Sequence, residues 1–193
     1  MTEQKPKRRY FKKKVGMVFR IPLNENNAYA YGQAATETRN IFFDHQDILD
    51  HWTPIEDIIQ KPVIFVATVD RYVLKEALWD VLGVWPVDSK NQEFPETVGY
   101  NTLKNTYFFW RNNPEKGKVD QIPCTLEDIE GHEFLTSWGH GGVEQRLRDH
   151  FAGRPNYDIM YQKLYHEHQG KGYMSRKDFY KQYGYDFHWL DDA

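Results

Sequence analysis

Residues 15–33 read VGMVFRIPLNENNAYAYGQ, two alternating apolar runs joined by a polar turn. Met17, Phe19 and Ile21 alternate with Val18, Arg20 and Pro22, which gives the first strand one clearly apolar face. The NENN stretch at 24–27 is a turn, because Asn tolerates the left-handed backbone that tight hairpins require. Residues 28–33 return as a second strand, and 40–44 (NIFFD) form a third, short and aromatic. PIEDIIQ at 54–60 predicts a short helix, with Thr53 as its cap, Pro54 in first position and two acids following. Residues 63–69 are apolar and β-branched, as suits a buried central strand, and 70–76 form a helical turn. Residues 78–84 give another strand, from which Pro86 forces an exit. A loop over 88–99 and a last strand over 100–110 complete this half.

After Asn112 the pattern changes. NNPEKGK is a turn, and Thr125 with Asp128 opens a capped turn. Residues 143–151 form an amphipathic helix on which Val143, Leu147 and Phe151 recur every four positions. A second helix is expected over 157–168, and a third over 175–183, opened by Ser175 with Asp178 three residues on. Strands first and helices last define an α+β fold. Its N-terminal part is an antiparallel, strongly bent β-sheet or a partly open small barrel, followed by C-terminal helices. Three segments follow: a basic leader at 1–14, expected to be disordered, an α+β domain at 15–152, and a helical extension at 153–193 packed on the same domain.

With 193 residues, 40% of them apolar, the chain can bury a core of its own. No run approaches the roughly 18 apolar residues of a membrane-spanning helix. No apolar segment follows the basic N-terminus, so no secretory signal peptide is expected. A single cysteine, Cys124, allows no intramolecular disulfide and suits a reducing, cytoplasmic compartment. Seven Lys or Arg and one Glu give residues 1–14 a charge of +6, so the rest of a chain of net −3 carries −9. The leader suits phosphate or an acidic partner surface, whereas the acidic body repels a phosphate backbone.

Chemistry is sparse. His166 and His168 are two apart on a predicted helix and point to different faces, so they do not share an ion with His188. Cys124 precedes an acidic run, which raises a thiol pKa, and no serine stands in a G-x-S-x-G elbow. SWGHGG at 137–142 is either a turn burying Trp138 or an anion pocket at a helix start. No catalytic residue, metal or cofactor is expected. Asp44, Asp47 and Asp50 form one acidic cluster, and Glu127, Asp128 and Glu130 another. Both can be solvated loop acids, or a face that docks a basic partner. Phe42, Phe43 and Trp52 bracket the first cluster, although Phe42 and Phe43 point to opposite faces and one must be core.

The segments VGMVFRIPL, AYAYGQA, IFFD, KPVIFVATVDRYVLKEALWDVLGVWPV and GHGGVEQRLRDHF occur in order between residues 15 and 151. Together they resemble immunity protein family 26 of bacterial polymorphic toxin systems. The chain departs from that pattern at Glu76-Ala77-Leu78-Trp79, where the family more often shows Gly-Arg-Trp, and beyond Gly153, which has no counterpart. The resemblance implies a protein encoded beside a toxin and neutralising it by direct binding, in a family whose members guard against chemically different toxins. It brings no catalytic residue. It implies that Val18, Pro22, Gly32, Phe65, Trp79, Gly83, Pro86 and Leu147 are buried fold determinants.

The function expected from these features is that of a cytoplasmic immunity protein in a stoichiometric complex with a cognate toxin domain, a nuclease being one candidate. Its contacts are expected at Asp44, Asp47, Asp50 and Trp52, with no membrane partner. The alternative is a small-barrel nucleic-acid-binding protein using the basic leader, which the acidic body disfavours.

Overall fold

Alternation in the first hairpin builds a sheet that is apolar on both faces. The computed structural model describes residues 12–23, 27–49, 51–70, 72–93, 95–101, 103–113, 115–135, 137–167 and 175–182. Its elements begin with β1 (Met17–Pro22), β2 (Ala28–Ala34), β3 (Arg39–Ile48), α1 (Ile55–Ile58), β4 (Val63–Val69), α2 (Tyr72–Lys75) and β5 (Asp80–Val84). They continue with β6 (Thr97–Asn101), β7 (Thr106–Asn113), β8 (Lys118–Cys124), β9 (Ser137–Trp138), α3 (His140–Phe151), α4 (Tyr157–Glu167) and α5 (Arg176–Gln182). The larger sheet has the order β5-β1-β2-β3-β4-β9 and the smaller β6-β7-β8. Neither closes into a barrel. The fold is α+β and the sheets are antiparallel, except that the two-residue β9 joins β4 in parallel.

One face of the larger sheet carries Phe19, Ile21, Ala30, Phe42 and Phe65, packed with Trp79, Val143, Leu147, Tyr157 and Phe179 from the helical side. The opposite face carries Tyr31, Ile41 and Phe43 beneath Ile58 of α1. Phe42 and Phe43 do point to opposite faces, but both are fully buried because α1 roofs the second one. The sequence requires one of the two rings to be core; both are, and the sheet has no solvent face at that point. Gly32 stands opposite Phe42, and a Cβ there would lie 2.9 Å from the Phe42 ring. That ring is stacked on Phe65 at 4.4 Å and has little room to yield.

Several local expectations change. Residues 100–110 are not one strand. Asn101 Oδ1 accepts from the amides of Leu103 and Lys104, both at 3.1 Å, and turns the chain between β6 and β7. β8, absent from the hydrophobic pattern, pairs with β7 along its length. Thr53 does not cap α1: Pro54 holds the N-cap position with no side-chain bond. Pro86 is exposed, and Pro22 and Gly83 are half-buried, while Val18, Gly32, Phe65, Trp79 and Leu147 are buried. Ser175 does open α5, its Oγ donating to Asp178 Oδ2 at 2.7 Å. Asn27 takes the left-handed φ of 54° that a tight turn needs.

The strap from Glu133 to Trp138 joins the two sheets. Val98 N donates to Glu133 O and Leu135 N to Val98 O, both at 2.8 Å. Ser137 and Trp138 then pair with Thr68 and Val69 of β4. α4 packs on both cores, through Tyr157 on the larger sheet and Ile159 on the smaller.

Candidate functional site

Arg20 breaks the apolar run of β1, and alternation turns it to the face opposite Phe19. Its register partner on β5 is Asp80. The guanidinium donates to Asp80 Oδ2 from Nη2 at 2.7 Å and from Nε at 3.2 Å. The same group lies 4.5 Å from the centre of the Trp52 ring and 5.3 Å from that of Tyr29. The two rings meet edge to face at 5.3 Å. A cation is thus held close to two aromatic ring faces, a favourable contact for their electron-rich π systems. Trp52 remains 45% exposed, so this is a surface platform and not a core cluster.

Asp47 positions Trp52. It is buried beneath the platform, and its oxygens accept from Tyr31 Oη at 2.7 Å, Thr53 N at 2.9 Å and Thr53 Oγ1 at 2.9 Å. His45 Nε2 lies 2.9 Å from Asp47 Oδ1 and 3.0 Å from Thr53 Oγ1. Burial alone would raise the Asp47 carboxyl. The bonds from the Thr53 amide, Tyr31, the Thr53 hydroxyl and His45 outweigh it and hold the group below the usual carboxylate range. The Tyr31 hydroxyl moves up, through burial first and then the adjacent Asp47. Thr53 spends its hydroxyl on Asp47, which is why it is missing from the helix cap. Pinning Thr53 fixes the preceding residue, Trp52, over Arg20.

The predicted contact residues therefore separate. Asp47 and Trp52 belong to one assembly, with Asp47 inside and Trp52 outside. Asp44 turns to the helix-covered face of β3, where it lies 2.8 Å from His150 Nε2 and remains exposed. Asp50 lies outside the described residues. In the second acidic cluster, Asp128 accepts from Thr125 N and Oγ1 at 2.8 Å, and Glu130 pairs with Lys163 at 2.8 Å. Arg20, Tyr29 and Asp80 were missed, although an arginine inside an apolar alternation and tyrosines alternating with alanines are visible signals.

Other candidates resolve into packing. Trp138 is buried, and a Cβ on Gly142 would meet both its ring and the Tyr157 hydroxyl at 3.3 Å. The Cys124 thiol is pushed up, first by burial and then by Asp128 and Glu96. His168 and His188 lie outside the described residues, among which no group of three His, Cys, Asp or Glu side chains could hold a metal ion. Among the described residues no helix is long and apolar enough to cross a membrane. Comparison with protein-family models, curated proteins and solved structures finds no match.

Proposed function

We propose that this chain is a cytoplasmic immunity protein that neutralises a cognate bacterial toxin by stoichiometric binding, anchored on the Arg20–Tyr29–Trp52 platform. The observation that carries the proposal is the exposed Trp52, pre-positioned over Arg20 by a buried carboxylate. Trp, Tyr and Arg are the residue types that dominate binding hot spots. Side chains fixed before the partner arrives lose little freedom on binding. The resemblance of residues 15–151 to an immunity family supports the same function. The −9 charge outside the leader favours a basic partner surface, such as the substrate groove of a nuclease, and speeds encounter with it.

The test is capture of partners from the native host lysate on the tagged protein, followed by mass spectrometry. One dominant partner carrying a toxin domain, bound one to one, is the expected result. Trp52→Ala should weaken that complex by about 2 kcal/mol or more, roughly thirtyfold, with the fold intact by circular dichroism. Recovery of nucleic acid, lost when residues 1–14 are deleted, would replace this function with the nucleic-acid alternative. An unchanged affinity in Trp52→Ala would remove the platform from the interface.

A further inference from the structure

We propose that Lys13 is a covalent modification site whose ε-amine accepts the acyl group of a small activated donor, an acyl phosphate or an acyl thioester. The site is a solvent-open cavity of about 470 Å³ at the end of β3 and β4, lined by Lys13 with Glu37, Thr38, Thr68, Asp70 and Ser137. That volume is within the range of small-molecule sites.

Among the described lysine side chains, Lys13 combines partial burial with the lack of a charged partner, whereas Lys12, Lys14, Lys61, Lys75, Lys104 and Lys181 are exposed. Lys90, Lys116, Lys118 and Lys163 each reach a carboxylate within 4.0 Å. Lys13 is half-buried and forms no ion pair among the described residues. Among the described residues its Nζ makes one hydrogen bond, to Arg39 O at 3.5 Å, the outer limit of such a bond. Arg39 turns its guanidinium away, donating to Gln92 O at 2.9 Å and Glu93 O at 2.6 Å. Glu37 and Asp70 share the cavity wall, and Asp70 Oδ1 accepts from Tyr72 N at 3.2 Å. Burial that no ion pair offsets lowers the Lys13 pKa to about 8. On the order of a tenth of the group is then free amine at pH 7, against less than a thousandth for an ordinary lysine.

In the reaction, the lone pair of the free amine attacks the acyl carbonyl carbon and a C–N bond forms. The C–O bond of the acyl phosphate, or the C–S bond of the thioester, breaks, and its electron pair leaves on phosphate or thiolate. The amine proton passes to water. Nothing is oxidised or reduced. The product is a neutral amide, so the penalty for burying a charge disappears, and the cavity has room for the added group.

The experiment incubates the intact protein with acetyl phosphate in one arm and acetyl-coenzyme A in the other, from pH 6 to 10, with site-resolved peptide mass spectrometry. Exposed Lys12 and Lys14 are internal controls. Lys13 should be acetylated about tenfold faster than either at pH 7, with a rate that levels off above about pH 8. The advantage should vanish in urea. The faster arm identifies the donor class. Equal rates at the three lysines in both arms, or a Lys13 rate still climbing at pH 10, would overturn the assignment.

Discussion

The indole Nε1 of Trp79 donates to Glu144 Oε1 at 3.0 Å, with both side chains buried. This bond ties the chain entering β5 to the first turns of α3, 65 residues later. Glu144→Ala would strand the indole N–H inside the core and should lower stability by about 1–3 kcal/mol. Glu144→Gln keeps an acceptor and should recover most of that loss. Urea unfolding of the two variants measures the difference.

Asp47 should behave as a structural acid, although it lies among residues expected to touch a partner. Asp47→Ala frees Thr53 and leaves the Tyr31 hydroxyl unpartnered, at a cost of about 3 kcal/mol. Because its carboxyl is held below the ordinary aspartate value of 3.8, Asp47 contributes stability above that pH. The contribution is lost as pH falls through its lower folded value. Asp47→Asn should therefore flatten the acid limb of the stability curve below about pH 4. Affinity for the proposed partner should fall with it, through displacement of Trp52.

Asp149 has the opposite sign. It is fully buried on α3, with Oδ1 accepting from Gln145 and Arg154, both at 2.9 Å, and Oδ2 without a hydrogen-bond partner among the described residues. Burial raises it from 3.8 to about 6 against the pull of Gln145, Arg154 and Arg146. The folded state prefers the protonated acid, so its contribution is complete below pH 3.8 and is lost as pH rises through about 6. The loss is roughly 3 kcal/mol. Glu133, also raised by burial, adds in the same direction. Asp149→Asn cannot ionise, so its unfolding midpoint should decline less across pH 4–7 than that of the parent chain, the remainder coming from Glu133.

What was legible in the sequence follows from how far each signal reaches along the chain. β1, β2, β4 and α3 carry their own periodicity and their own Pro or Gly punctuation. β8 does not. Lys118, Asp120 and Pro123 make it a protected edge, and an edge strand of that kind has little apolar alternation to detect. The burial of Phe43 depends on Ile58 arriving from a later helix. The site divides in the same way. Trp52 stands out beside acidic residues, but the exposure of Asp47 is decided by Tyr31 and Thr53, and the partner of Arg20 lies 60 residues away. Local composition identified the neighbourhood, and non-local pairing assigned the roles.

The strap between Glu133 and Trp138 has a thermodynamic consequence. Its first half is bonded to β6 and its second to β4, so neither sheet can detach without also surrendering backbone bonds that belong to the other. Two sheets with separate cores are thereby coupled, and thermal unfolding should run as a single transition instead of shedding the smaller sheet first.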